Sequence, residues 1–466
     1  MVFFNLMDSN LTVTSRFKQS YMTRIPRLVN LDAHVLSTLL FRGWALCAGV
    51  FTMLLVPLCL PAVHQGFYFT FNSLVSIQIF FELGFNHVVS QIVSHEASLL
   101  NLAADRLRQK THASKLASVR QLATRWYRVM AMLFAPVVFF SGAYFFHSQK
   151  ALPMTEWMIP WGLLSVASAL NLYVSPQLSI IEGLGRVDRV AMLRLLQSIF
   201  GNIIMWMLLL AHTKLWATIA VPLVASVMSL MWVRYRAFVD APNALRDVVL
   251  PMSGLPALTW RRDILPLQWR IALSWVSGYF IFQTFIPLIF MHQGAVVAGR
   301  AGFGLSACTS IMGLGMSWVN AKSPMMSSAI ASGDRVVLNK MFVHVFLRSS
   351  AFTALALTLL IGVAAAGQHA GLHFAKRIAD TITMASLGLA TLTNCVIGAM
   401  ATYMRCHKEE PMLICSVVMA VLTLASVAWG STVNAQLPFV LYAAVTLFIA
   451  LPWTISIFLR YWRRLD

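Results

Sequence analysis

Four polar side chains recur at every fourth position within an otherwise apolar segment. They are Gln78, Glu82, Asn86 and Ser90. Steps of four drift slowly around a helix, so these side chains would form one slanting polar stripe. Amides, a hydroxyl and a carboxylate can bind sugar hydroxyls or a coupled cation. A stripe facing lipid would be costly, so we expect it to line a hydrated cavity or to form interhelical hydrogen bonds.

Three basic residues lie within or at the ends of apolar segments and could bind an anionic head group by charge-assisted hydrogen bonds. Arg42 lies about 10 Å inside the first segment at helical rise and either snorkels to the headgroups or lines a cavity. Arg300 either anchors a helix at the interface or offers a cation to the substrate. Lys322 serves orientation or ligand binding, and Gln91 occupies the equivalent position in the first half.

Two His-Gln-Gly tripeptides stand at the ends of apolar segments. His64 begins the first and His292 the second. Each histidine is either a solvated interfacial residue or a proton-linked gate. Gln293, beside the second histidine, is a further candidate ligand for a substrate.

The composition defines the environment of these residues. Of 466 residues, 59% are hydrophobic and only 11% are charged, against about 25% charged in soluble domains. The apolar runs are long and mostly lack alternation, so the sequence predicts an all-α, multi-pass membrane protein. The net charge of +19 would suggest a nucleic-acid partner in a soluble protein. Here it is explained by membrane orientation, and no nucleic-acid partner is expected.

Twelve segments are long enough to span a bilayer, which takes about 20 residues each. With the N-terminus in the cytoplasm, all but five of the 35 Lys and Arg residues fall on the inner side, a strong positive-inside signal. The five outer residues are Lys150, Lys214, Arg300, Lys376 and Arg377. The predicted spans are 35–60, 66–93, 124–146, 154–180, 190–211, 215–233, 268–292, 299–322, 341–366, 381–404, 411–430 and 437–459.

The spans divide into two six-helix lobes. The sequence predicts a cytoplasmic segment 1–34, an N-lobe 35–233, a cytoplasmic linker 234–267 rich in Pro and Gly, a C-lobe 268–459 and a cytoplasmic tail 460–466. Short matches recur in order between the halves at offsets of 228 to 231 residues, such as Val56-Pro57-Leu58 with Ile286-Pro287-Leu288. This indicates a parallel, pseudo-symmetric repeat with the substrate site between the lobes.

The sequence lacks the motifs of several enzyme classes. The string from Gly294 to Arg300 lacks the lysine of a phosphate-binding loop, no HExxH occurs, and the outer loops are short. We therefore expect no enzyme, no catalytic residue and no metal site. No cofactor is expected either, although transport could be coupled to Na⁺ or H⁺.

The sequence also resembles a known family. Ser37–Gly43, Gly66–Leu74 and Phe80–Phe85, which contains Glu-Leu-Gly, are similar to the first two spans of polysaccharide flippases in the multidrug/oligosaccharidyl-lipid/polysaccharide exporter (MOP) superfamily. Ile181–Arg186 resembles the family's link after span 4. The twelve spans, two lobes and absent ATP site are similar too.

This resemblance implies a flippase of the O-antigen or capsule type. Its substrate would be a glycan on polyprenyl pyrophosphate, moved from the inner to the outer leaflet of a bacterial inner membrane by alternating access. Polysaccharide polymerase and chain-length proteins would be protein partners. The rival interpretations are a cation-coupled multidrug antiporter of the same superfamily and a membrane-embedded glycan-modifying enzyme. Basic residues outnumber intramembrane acids, which favours an anionic substrate.

Overall fold

The computed structural model describes residues 33–102, 105–235, 258–372, 374–407 and 411–465, and every regular element among them is helical. The predicted segment 1–34 and linker 234–267 fall largely outside the described residues. Long apolar runs form helices because no water is available in the bilayer to satisfy an open backbone. The all-α prediction is confirmed.

The N-lobe contains eight helical pieces that correspond to six predicted spans. Span 1 is α1 and span 2 is divided into α2, α3 and α4. Spans 3 to 6 are α5 to α8, with a 3₁₀ turn at Lys214–Ile219 before α8. The bounds are α1 Ala33–Cys59, α2 Ala62–Val75, α3 Ile79–Glu82, α4 Phe85–Leu102, α5 Arg106–Gln149, α6 Met154–Gly183, α7 Val187–Leu210 and α8 Ala220–Tyr235.

The C-lobe also contains eight helical pieces, but different spans are divided. Span 7 is divided into α9 and α10, spans 8 to 11 are α11 to α14, and span 12 is α15 and α16, joined by a π turn at Thr446–Ala450. The bounds are α9 Leu265–Phe282, α10 Phe285–Gln293, α11 Ala295–Ser332, α12 Arg335–His369, α13 Thr381–Cys406, α14 Leu413–Val433, α15 Leu437–Val445 and α16 Leu451–Leu465.

Ten of the described spans are long and apolar enough to cross a membrane. The other two predicted spans are α1, whose described apolar part is Gly43–Cys59, and the divided span 2. The bounds agree with the predicted ones to within a few residues for most spans. Spans 2, 3 and 8 are the exceptions. In span 2, α4 ends at Leu102; in span 3, α5 begins at Arg106 because its polar first turns continue the helix ahead of the apolar run; and in span 8, α11 ends at Ser332.

Span 2 is not the single helix that the spacing predicted. The backbone turns left-handed at Leu83 (φ 48°) and Gly84 (φ 68°), which separates α3 from α4. A Cβ on Gly84 would lie 2.4 Å from Cγ2 of Ile271 in α9. The break therefore lies at a close contact with span 7 of the other lobe, and a glycine tolerates both the conformation and the contact.

Each lobe has its own packing, and the lobes meet mainly through α2 and α11, with a second contact of α3 and α4 on α9. In the N-lobe α1 packs on α7 and α5 on α6, and in the C-lobe α11 packs on α12 and α13. Between the lobes α2 runs along α11, whereas α4 packs against α5, α6 and α9. The two halves of span 2 thus have different partners.

Candidate transport site

The helices of span 2 and span 8 cross at the predicted outer end, and their backbones are in close contact there. A Cβ on Gly66 would lie 2.0 Å from the carbonyl oxygen of Ala295, and a Cβ on Gly299 2.8 Å from the nitrogen of Gly66. A Cβ on Gly302 would lie 2.5 Å from the ring of Phe69. Small residues let two helix backbones approach closely. We call Gln65, Gly66, Ala295, Gly299 and Gly302 the outer seal.

Gln65 strengthens this seal. Its side chain is buried, with 1% exposure, and its Nε2 donates to the carbonyl oxygen of Gly299 at 3.0 Å and to that of Arg377 at 3.2 Å. Both acceptors belong to the C-lobe. The buried amide is therefore paired across the lobe boundary, where an unpaired amide would cost about 1–3 kcal/mol.

A cavity of about 590 Å³ lies beneath the outer seal, between the lobes. It begins at Phe69 on α2 and Gly302 on α11 and reaches Ser310, eleven residues past Gly299 or ~16 Å along the helix. Its polar lining consists of hydroxyl and amide groups: Thr52, Tyr68, Asn72, Ser73, Ser198, Asn202, Thr218, Gln283, Ser306, Thr309 and Ser310. Among the described residues that line this interlobe cavity, none is charged.

The stripe of span 2 lies elsewhere, in the N-lobe. The Glu82 carboxylate accepts a hydrogen bond from Gln78 Nε2 and another from Asn86 Nδ2 at 3.4 Å. The three side chains thus bond one another along a divided helix. None of them lines the interlobe cavity. Beside this group, the Tyr127 hydroxyl and Asn86 Oδ1 are buried without a partner among the described residues.

His64 lies in a polar cluster of the N-lobe. The ring is buried, and its Nε2 lies 2.8 Å from Glu156 Oε2. Lys214 Nζ contacts the same oxygen at 2.9 Å. His64 therefore connects α2 to the first turn of α6, one residue away from the outer seal.

The second tripeptide has a different role from the first. His292 Nδ1 lies 2.9 Å from Ser431 Oγ, and Gln293 Nε2 donates to the Ser431 carbonyl oxygen at 2.8 Å. Both bonds join α10 to α14 within the C-lobe. The sequence repeat thus places one glutamine across the lobe boundary and the other within a lobe.

The remaining candidate ligands are spread over α1, α4 and α11. Arg300 is exposed, one residue past the seal glycine. Lys322 is exposed, with Nζ 3.4 Å from Met325 Sδ, and Gln91 is exposed and pairs with His87 at 2.9 Å. The side chain of Arg42 lies outside the described residues, although its backbone belongs to α1. The structure therefore does not gather Arg300, Lys322 and Gln91 into one site.

Sequence reasoning missed the lining of the interlobe cavity. Asn72, Asn202 and Gln283 are amides within apolar spans, and Ser306, Thr309 and Ser310 fall on one side of α11. The amides could have been noticed as intramembrane polar residues. The convergence of these six residues could not, because they come from four separate spans, 2, 5, 7 and 8.

The fold defined by these two lobes is known from membrane transporters. No protein-family model and no curated protein sequence matches the chain. One similar solved structure is an inward-facing multidrug resistance MATE family transporter of the MOP superfamily. Its identity to this chain is 13%, the match covers 88% of this chain and 98% of that chain, and the TM-score is 0.56. An outward-facing multidrug resistance MATE family transporter of the MOP superfamily is also similar. Its identity is 12%, the match covers 92% of this chain and 96% of that chain, and the TM-score is 0.51.

The lipid II flippase MurJ in an inward closed conformation is also similar. The identity is 11%, the match covers 88% of this chain and 86% of that chain, and the TM-score is 0.58. At such identities the likeness establishes the fold. The chain thus has the two-lobe fold of MOP superfamily transporters and flippases.

Proposed function

We propose that this protein is a transporter of the MOP superfamily that flips a polyprenyl-pyrophosphate-linked oligosaccharide between the leaflets by alternating access. The observation that carries the proposal is the uncharged polar cavity beneath a closed seal. Such a cavity offers hydroxyl and amide partners to a polar head group while excluding one leaflet.

The character of the lining favours a glycan. Sugars present hydroxyl groups that both donate and accept hydrogen bonds, and the side-chain amides of Asn72, Asn202 and Gln283 carry both donors and acceptors. Asn72 and Asn202 each use amide N–H on their own helix and keep their amide oxygens for a ligand. Tyr68 and Phe69 add aromatic surface to the same wall. Arg300 and Lys322, which lie outside this cavity, would then serve the pyrophosphate.

The same lining argues against the rival antiporter function. An organic cation would need a carboxylate or another negative partner inside the membrane. The described lining of the interlobe cavity has none, and Glu82 is occupied by Gln78 and Asn86. A neutral polar substrate group fits the cavity better than a cation does.

Alternating access requires that the seal can open. The contacts that hold it are two hydrogen bonds of Gln65 and close backbone packing, without a salt bridge or a disulfide among its residues. Such an interface can separate without exposing an unpaired charge. We infer that the structure represents the state closed at the predicted outer end.

The test is flipping of a fluorescent polyprenyl-pyrophosphate oligosaccharide in proteoliposomes, followed by a membrane-impermeant quencher. The double variant Asn72→Ala, Asn202→Ala should slow flipping about tenfold, as expected for lost hydrogen bonds worth about 1.4 kcal/mol. The control is Thr358→Ala, an exposed hydroxyl of α12 that bonds its own helix. Flipping by the double variant at the parent rate, or extrusion of organic cations without glycolipid flipping, would contradict the proposal.

A further inference from the structure

A second cavity, of about 320 Å³, lies within the C-lobe. It follows one face of α13 from Asn394 through Gly398 to Arg405, with the opposite walls supplied by α9, α11, α14 and span 12. We call it the C-lobe groove. Phe282 lines both this groove and the interlobe cavity, so the two are neighbours.

The walls of the groove are apolar. Four methionines contribute to them: Met312, Met316, Met412 and Met419. The hydroxyls of Ser416, Thr446 and Thr454 donate to carbonyl oxygens of the preceding helical turn at 2.8 to 3.0 Å, so these hydroxyl protons are already used. Flexible thioether side chains adapt to irregular apolar ligands.

One end of the groove carries a positive charge. Arg405 lies in the last turn of α13 and is exposed, and its Nε donates to the Ala401 carbonyl oxygen at 3.3 Å. The ion pairs of the described residues do not include Arg405. A cation at the end of a span lies at the level of lipid head groups.

The length of the groove matches one leaflet. Eleven residues separate Asn394 from Arg405, ~16 Å at helical rise, and half of a hydrocarbon core is about 15 Å. A ligand that fills the groove would thus be an apolar chain reaching the mid-plane, with an anionic group at the head-group level.

We propose that the C-lobe groove binds a phosphate-bearing lipid chain, with its phosphate on Arg405 and its hydrocarbon against the methionine walls. The guanidinium provides a forked donor that suits phosphate geometry. This site does not depend on the proposed glycan substrate, because it lies in one lobe and uses other residues.

The test uses the full chain in phosphatidylcholine nanodiscs and a polyprenyl monophosphate with a diazirine on its chain. Light should attach the probe to residues of the groove, Met316 and Met419 among them. Arg405→Ala should weaken labelling at least tenfold, as expected for a lost charge-assisted bond. Arg348→Ala, an exposed arginine of α12 outside the groove, should leave it unchanged.

A blocking variant tests the hydrocarbon part separately. A Cβ on Gly398 would lie 3.3 Å from Met316 Cε, so Gly398→Leu should fill the groove and abolish labelling. Gly362→Leu is the matched control, since a Cβ there meets nothing within 4 Å. Undiminished labelling of Arg405→Ala, or equal competition by the uncharged prenol and the prenyl phosphate, would overturn the proposal. If the protein bound the probe but did not flip the glycolipid, only the proposed function would be wrong, and the proposal for the C-lobe groove would stand.

Discussion

Gln65 in the N-lobe donates through its side-chain amide to the backbone carbonyl of Gly299 in the C-lobe, at 3.0 Å. The bond lies beside the contact of Gly66 with Ala295 and spans 234 residues of sequence. It joins the two lobes at the end where the cavity is closed. Because the amide is buried, opening this end must either break the bond or move both helices together.

We predict that Gln65→Leu shifts the protein toward the state that is open at this end. The substitution removes two hydrogen bonds worth together about 1–3 kcal/mol, which corresponds to roughly a 5- to 150-fold change in the ratio of the two states. The measurement is reaction of Ala298→Cys, a fully buried position of α11, with an impermeant maleimide. Gln293→Leu is the control, because it removes a bond within the C-lobe; an equal effect of both variants would contradict a gating role for Gln65.

Gly66→Ala should also open the outer seal, because the added methyl group clashes with the facing helix. The new Cβ would lie 2.0 Å from a backbone oxygen, so the helices must separate. We expect faster labelling at position 298 and slower flipping. Gly278→Ala should change neither, since a Cβ there meets no atom within 4 Å. A Gly66→Ala protein that keeps slow labelling would show that the crossing is looser than described.

Glu156→Ala should destabilise the N-lobe. It removes the partner of the buried His64 ring, whose Nδ1 already lacks one among the described residues. We expect the free energy of unfolding to fall by about 1–3 kcal/mol, seen as a lower midpoint of thermal unfolding in detergent. Lys214→Met, which removes a largely exposed cation from the same oxygen, should cost less than about 1 kcal/mol. If the two variants are equally stable, the buried hydrogen bond is not what holds this cluster.

The variant Arg300→Ala tests whether transport needs Arg300, one of the five basic residues on the predicted outer side. Arg300 is exposed beside the seal, and we expect its loss to abolish glycan export while the protein remains in the membrane. Arg300→Lys keeps the charge and should retain most export. Normal export by the alanine variant would remove Arg300 from the mechanism.

The orientation predicted from charge can be tested with reporters. A reporter inserted between residues 240 and 260 should be cytoplasmic, and one placed near Lys376 should be external, because basic residues concentrate on the cytoplasmic side. An external reporter in 240–260 would invert the assignment of the outer seal and break the predicted arrangement of lobes.

Most of the predicted helices were correct, because a backbone inside the bilayer must form its hydrogen bonds locally. The place of each apolar run in the sequence therefore indicates where a helix lies. The divided span 2 was not predictable in this way. The four-residue spacing of Gln78, Glu82 and Asn86 is compatible with one helix, and the break at Leu83 and Gly84 lies against Ile271, which is distant in sequence.

The sequence by itself determined that this chain lies in a membrane and where most of its apolar spans lie. These properties follow from local hydrophobicity and from the period of the helix. Only the tertiary structure decided which polar residues meet: Gln65 with Gly299 across the lobes, Asn72 with Asn202 around one cavity, and Arg405 with the methionines of another. Such meetings depend on how helices cross in three dimensions, and spacing along one chain carries no information on that crossing.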